Sequence, residues 1–216
     1  MRVVSPSIEI ISKDSYEDIL KSLEMIGRTC YKSEDKIKEG SAEKFLAAVV
    51  KSGHESVIEH KYISVRVVCD RGVTHEIVRH RLASYSQEST RYCNYTKDKF
   101  CREITVIDIS TGFNYDLTDP VDREKYYIWN DAMRYAEKAY FKMIEVGAKP
   151  DEARSVLPNS LKTEIVMTMN LREWRHFLGL RLDPHAHPQI REISKMILDE
   201  FYKRYPVFFE DLVKSE

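Results

Sequence analysis

Arg79-His80-Arg81-Leu82-Ala83-Ser84-Tyr85-Ser86-Gln87-Glu88-Ser89-Thr90-Arg91-Tyr92 is the stretch on which the reading of this 216-residue chain turns. It holds three arginines, one histidine and a single acid within 14 residues of a chain whose formal net charge is -1. Close cations repel one another unless solvent screens them or an anion fills the space between. Small hydroxyl residues lie among these cations and donate hydrogen bonds without blocking access. Two readings stand on composition alone: a solvated basic helix face, or a site for phosphate and a planar polar ring.

Working outward, Thr74 can cap a helix that carries Ile77, Val78 and Leu82, which would place Arg79, His80 and Arg81 on one helical turn. Upstream, Tyr62 to Cys69 is rich in β-branched and aromatic residues and predicts a strand, as does the shorter Ile8 to Ser12. Asp14 can cap a helix with Ile19, Leu20, Leu23 and Ile26 on one face. Gly40-Ser41 opens another, with Gly53 as its stop. Downstream, Ile104 to Ile109 and Leu161 to Met169 read as strands, with a loop at Asn114 to Pro120. Asp122 starts the longest helical pattern, which keeps its period through Tyr126, Trp129, Met133, Ala136, Tyr140 and Ile144 to Gly147. Pro150 opens a short helix that Pro158 ends, and Leu171 to Leu180 and Pro188 to Tyr205 are helical. Strands and helices do not alternate regularly, which disfavours a doubly wound sheet. The order predicts one α+β domain over 1–216.

Composition sets the outer limits. Apolar residues are 43% and charged residues 32% of the chain, as in globular enzymes. Near-neutral charge gives no global pull on nucleic acid or anionic membrane, so any anion site must be local. No apolar run reaches the roughly 20 residues of a membrane helix, and Met1 to Pro6 lacks the apolar core of a signal peptide. A cytoplasmic protein with neither nucleic-acid nor membrane partners is the expectation. Cys30, Cys69, Cys93 and Cys101 form no C-x-x-C pair, so reduced structural thiols are expected. The seven glycines are all more than ten residues apart, which excludes a Gly-rich phosphate loop. A nucleotide bound here must rely on arginine side chains and helix N-termini.

Three further segments carry chemistry-bearing residues. In Asn170 to His187, Asn170 can cap a helix, Arg172 and His176 then share a face at i and i+4, and Arg181 follows near the helix end. Gly53 to His60 holds two histidines and two glutamates, but neither this spacing nor Asp183 to His187 matches a zinc pattern, and no metal site is assigned. In Glu152 to Pro158, Arg154 precedes an apolar turn and suits either a phosphate or a salt bridge.

These four segments, in this order, resemble the flavin-dependent thymidylate synthases. The family hallmark of R-H-R, seven residues and Ser is matched by Arg79 to Arg81 and Ser89. Gly53 to His60 matches G-H-x-S/T-x-x-E-H, and Ala153 to Pro158 matches A-R-x-x-L-P. Asn170 with Arg172 and Leu180 to Ala186 match N-x-R … L-R-x-D-x-H-A. The match runs from about Gly27 to Lys195. The resemblance implies methylation of dUMP to dTMP, with 5,10-methylenetetrahydrofolate as carbon donor and FAD, reduced by NADPH, as hydride donor. It implies a homotetramer with sites shared between subunits, and a mixed β-sheet flanked by helix groups. Ser56, Arg79, His80, Arg81, Gln87, Asn170, Arg172 and His176 then look like FAD contacts. Glu76, Ile77, Val78, Arg79, Gln87, Glu88, Ser89, Thr90, Arg91 and Arg154 resemble dUMP contacts. Arg181 stands where the family is proposed to act at N3 of the uracil. Gln87, Glu76 and Cys30 replace the Glu, Gln and Ser of other members.

The chemistry is consistent. Carbon 5 of uracil is a poor nucleophile, and a fixed cation beside N3 favours the more electron-rich N3 anion in a water-poor site. No cysteine nucleophile is needed, and none of the four cysteines follows a proline as in the unrelated folate-dependent enzyme. Two other classes remain for comparison. A single-stranded nucleic-acid binder would use Arg79, Arg81 and Arg91 with Tyr85 and Tyr92 as stacking platforms, against the neutral net charge. A metal-dependent nucleotide hydrolase would need His54, His60, His185 and His187, without a carboxylate-rich ligand set.

Overall fold

The computed structural model describes residues 1–213, except for the side chain of Lys99. The expectation of one domain over 1–216 thus reaches three residues past them. The strands are β1 (Arg2–Val4), β2 (Ser7–Ile10), β3 (Tyr62–Asp70), β4 (Ala83–Gln87), β5 (Thr105–Ile107) and β6 (Lys162–Asn170). The helices are α1 (Tyr16–Thr29), α2 (Ser41–Lys51), α3 (Arg71–Ile77), α4 (Pro120–Glu145), α5 (Pro150–Ala153), α6 (Leu171–Arg181), α7 (Pro188–Arg204) and α8 (Pro206–Val213). The architecture is α+β. Antiparallel strands form a sheet in the order β2-β3-β6-β4, and β1 pairs with β5 in parallel beside it. A single bridge, Val106 to Leu161, ties the two sheets together.

Strand alternation divides the large sheet into two chemically different faces. Ile63, Val65, Val67 and Cys69 of β3 lie opposite Met169, Met167, Ile165 and Thr163 of β6, and all eight are buried. Helices cover this face: Leu23 of α1, Leu46 of α2, Ile77 of α3, Trp174 and Phe177 of α6, Ile197 and Phe201 of α7 and Phe208 of α8 share its core. The other face presents Ser64, Arg66, Thr168, Ser84 and Ser86. A second core gathers Tyr95, Ile104, Val106, Met133, Tyr140, Ala153 and Leu161 under α4 and α5.

Several local expectations are corrected. Ser15, not Asp14, caps α1 through a 3.1 Å bond from the Asp18 N–H, because Asp14 pairs with Lys61 at 2.9 Å. Asp70, not Thr74, caps α3 by accepting from the Val73 N–H at 2.7 Å. Thr74 is already inside the helix, its hydroxyl bonded back to the Arg71 carbonyl at 2.8 Å. That helix ends at Ile77, so Arg79, His80 and Arg81 form a turn rather than a helical face. The hydroxyl of Tyr85 closes the turn, 2.9 Å from the Ile77 carbonyl oxygen and 2.6 Å from that of His80. The Ser/Tyr/Gln tract after it is β4, an edge strand whose partner β6 supplies the ladder that its own composition does not announce. The short β1 and terminal α8 were not anticipated, and α4 starts at Pro120, where Asp119 caps it, two residues before Asp122.

Candidate active site

The site is built where β6 becomes α6. Asn170 is the last residue of β6 and the N-cap of α6, its side chain accepting from the Glu173 N–H at 2.8 Å. An N-cap must be extended while its carbonyl already serves the helix, so strand and helix meet without a loop. Helical spacing then buries Leu171, Trp174, Phe177 and Leu178, while Arg172 and His176 face outward. The Trp174 indole N–H donates to the Ile63 carbonyl at 3.0 Å and fixes the helix to β3.

A groove of about 940 Å³ lies along this junction, lined by residues that include Tyr62, Ser84, Thr168, Asn170, Arg172 and His176. Its volume suits a large cofactor. Asn170, Arg172 and His176 are therefore brought together as the sequence predicts. Ser56 lies in an adjoining 430 Å³ pocket that shares Glu55 and Arg172 with the groove. The charges of the groove were not foreseen. Glu55, Glu59 and Glu173 set three carboxylates against Arg172 and Arg175. Both arginines are already engaged, Arg172 with Glu59 and Arg175 with Glu55 at 2.8 Å and with Asp211 at 2.7 Å.

Beside the groove lies a half-buried polar cluster. Arg181 Nε donates to His80 Nε2 at 3.0 Å, Nη1 to the Glu76 carboxylate at 3.0 Å and Nη2 to the Glu76 carbonyl at 2.9 Å. His80 is buried, with Phe177 edge-on at 4.8 Å and Glu173 Oε1 3.5 Å from its Nδ1. Burial first, then the Arg181 cation and His176, pushes the His80 imidazole down to about 4, so it is neutral at pH 7. Burial raises the Glu173 carboxyl above its ordinary range. Among the described residues His80, Glu173 and His176 could offer a metal three ligand atoms within 4.8 Å of one another. The guanidinium bonded to His80 Nε2 opposes a second cation there.

The remaining candidates divide along β4. Ile77 is fully buried and its carbonyl is taken by Tyr85, so it offers no side-chain contact; Val78, Arg79 and Arg81 are exposed at one end. Gln87, Glu88, Ser89, Thr90 and Arg91 lie at the other, four to eight residues beyond Ala83, with Gln87 roughly 13 Å away along the extended strand. The Gln87 amide donates to Thr74 Oγ1 at 3.1 Å and Thr163 Oγ1 at 3.3 Å, Glu88 pairs with Lys162 at 3.1 Å, and Thr90 is buried. Among the described residues Arg79, Arg81, Arg91 and Arg154 are exposed and make no ion pair, although Arg91 lies 5.3 Å over the Tyr92 ring. One chain therefore does not gather all these residues into a single site. Sequence reasoning missed Glu173 and Tyr62, whereas Glu55 and Glu59 belong to the Gly53 to His60 segment it singled out. Glu173 alone carried a signal, as the third residue after the Asn170 cap.

Comparison with known proteins gives the family and the fold. The family model for the thymidylate synthase complementing protein, Thy1, matches residues 12–207. A flavin-dependent thymidylate synthase of Pyrococcus furiosus is 38% identical over 179 residues, 82% of this chain and 70% of that protein. One from Geobacter sulfurreducens is 31% identical over 194 residues, 87% of this chain and 79% of that protein. Among solved structures, the UMP/dUMP methylase PolB from Streptomyces cacaoi bound with 5-Br dUMP superposes with a TM-score of 0.78. It covers 99% of this chain and 97% of its own at 20% identity, a likeness of fold.

Proposed function

This chain belongs to the thymidylate synthase complementing protein family, and we propose that it methylates dUMP to dTMP as one catalytic domain, cytoplasmic and soluble, with FAD, NADPH and 5,10-methylenetetrahydrofolate. The observation that carries the reading is Arg181, held by His80 and Glu76 through three of its donors. A guanidinium so fixed can face a developing anion without first being ordered. Placed at N3 of the uracil, Arg181 favours the deprotonated ring and so raises the nucleophilicity of carbon 5.

The groove fits a flavin in size and in donors. Asn170, Arg172 and His176 would hold it, with Ser56 at the adjoining pocket and Arg79, His80, Arg81 and Gln87 as further expected contacts. When bound, the reduced flavin supplies the hydride. The residues of this chain bind, orient and exclude water. Arg91, Arg154 and Ser89 suit the nucleotide phosphate and sugar, and Glu76, Val78, Arg79, Gln87, Glu88 and Thr90, with the Ile77 backbone, belong to the same expected set. Cys30 lines the adjoining pocket beside Ser56, and burial holds the Cys69 thiol above its ordinary range; the proposed chemistry uses no thiolate.

Two features support sites shared within a homotetramer. The walls of the groove carry more carboxylates than guanidiniums, yet the cofactor phosphates need free cations. Four unpaired arginines stand at the two ends of β4 and on the turn after α5. A second copy would bring one end of this segment to the groove of the first. In addition, α4 leaves Val121, Tyr127, Ile128 and Tyr135 more than half exposed, an apolar stripe suited to a subunit contact. The test is a visible spectrum. Protein reconstituted with FAD should show the bands of oxidised flavin, bleach anaerobically with NADPH, and form dTMP once dUMP and methylenetetrahydrofolate are added. Protein that takes up no flavin would overturn the proposal.

A further inference from the structure

We propose that Glu173 and His80 are positioning residues for Arg181, joined in one chain of contacts from the groove to the guanidinium; this rests on the reading of Arg181 given above. The argument starts from the helix cap. In a capping box, a glutamate three residues after the N-cap turns back to the N-cap N–H. The Glu173 N–H does bond Asn170, at 2.8 Å, but its carboxylate turns toward His80, with Oε1 3.5 Å from Nδ1. The carboxylate is 8% exposed and that exposure opens on the groove.

His80 has one arrangement compatible with its neighbours. Its Nε2 lies 3.0 Å from Arg181 Nε, which can only donate, so Nε2 is bare and the proton is on Nδ1. That proton faces Glu173. The opposite tautomer would set N–H against N–H at Arg181 and leave Glu173 facing a lone pair. The burial that keeps His80 neutral therefore also keeps its acceptor intact. On the far side Glu76 takes a hydrogen from each terminal nitrogen of Arg181. A guanidinium has five N–H groups, so among the described residues one on each terminal nitrogen remains for an incoming ligand. The groups facing His80 are then Arg181, Glu173, His176 and Phe177, and each has a part: donor, orienter, neighbour and wall. Glu173 belongs to this arrangement through His80 and touches neither Arg181 nor the uracil it would serve.

The experiment uses the full chain and four variants: His80→Leu, His80→Gln, Glu173→Leu and Glu173→Gln. In flavin-loaded protein, His80→Leu should lower kcat for dTMP formation about tenfold to hundredfold, while KM for dUMP stays within about twofold. His80→Gln should recover most of the loss, because its amide oxygen can accept from Arg181 Nε. Glu173→Leu should fall in the same way, and Glu173→Gln, which keeps an acceptor for Nδ1–H, should fall less. Unchanged kcat in flavin-loaded His80→Leu would overturn the proposal. A second readout needs no turnover. Nitrogen NMR of the imidazoles in the free protein should show His80 protonated at Nδ1 and bare at Nε2 from pH 6 to 8, and Glu173→Leu should weaken that preference. An Nε2–H signal in the wild type refutes the chain of contacts. If the wild type makes no dTMP, the functional reading fails by itself and the NMR result still decides the arrangement.

Discussion

Asn170 serves as helix cap and as groove wall, and the two roles respond differently to substitution. Asn170→Ala removes the acceptor of the Glu173 N–H, a 2.8 Å bond. Loss of an N-cap costs about 1 kcal/mol, within a range of roughly 0.5–2 kcal/mol. The first turn it holds carries Trp174, fully buried and bonded to the Ile63 carbonyl, so the upper half of that range applies. For a chain of this size each kcal/mol moves Tm by about 2–4 °C. Asn170→Asp keeps a cap of equal quality and adds a charge that suits the helix N-terminus, so its stability should stay within about 0.5 kcal/mol of the wild type. It also adds a fourth carboxylate to a groove that already has three. FAD, with its anionic pyrophosphate, should bind Asn170→Asp about tenfold or more weakly. Urea unfolding monitored by tryptophan fluorescence gives the stabilities, and quenching of flavin fluorescence gives the affinities. An Asn170→Asp variant that binds FAD as tightly as the wild type would remove the flavin from this groove. An Asn170→Ala variant with wild-type stability would refute the cap argument.

Arg91→Ala should weaken dUMP binding more than FAD binding, because Arg91 stands at the far end of β4 with no ion pair to release; calorimetric titration of both ligands checks this, and equal losses would undo the division of the segment. Arg175→Met should cost about 2 kcal/mol, since it removes the bonds of Arg175 to Glu55 and Asp211 that help tie α8 to α6, and urea melts of the two proteins measure it. The third prediction concerns acid. The pKa of His80 is depressed when folded, from 6.5 to about 4, so the unfolded chain binds the extra proton between those values. Stability from this residue is complete above pH 6.5 and is lost as pH falls toward 4, by about 3 kcal/mol at most. The wild type should therefore lose stability over that window relative to His80→Gln; parallel pH profiles of the two would contradict a buried neutral imidazole. Glu173, raised by burial, works in the opposite direction and is present in both proteins.

What could be read from the sequence followed the strength of local signals. The alternation of Val65, Val67, Ile165 and Met167, the period of α4 and the cap at Asn170 all act within a few residues, and the strands and helices they imply are present. The turn at Arg79 to Arg81 was misread because Leu82 keeps helical spacing with Val78, while the group that ends the helix, the Tyr85 hydroxyl, belongs to the next strand. The strand β4 was missed because Ser84 and Ser86 look like loop residues; only pairing with Thr168 and Val166 makes them a strand. Arg172 and His176 could be placed together from i and i+4 spacing, but not Glu173 with His80, which are 93 positions apart and meet only after α6 packs beside α3.

The same distinction explains the distribution of charge. A sequence count returns a net charge of -1, because acids and bases are nearly equal in number. Folding sorts them. The carboxylates Glu55, Glu59 and Glu173 collect in the groove, where they neutralise Arg172 and Arg175 and orient His80. Among the described residues Arg79, Arg81, Arg91 and Arg154 are left outside without ion-pair partners. Folding alone sets little demand on those four cations, since an exposed ion pair is worth only about 0–1 kcal/mol. Leaving them open on both sides of a short edge strand suits cations whose counterions arrive with ligands. The Arg-His-Arg turn thus holds two kinds of residue: Arg79 and Arg81, open to an anion, and between them His80, which faces inward and holds Arg181.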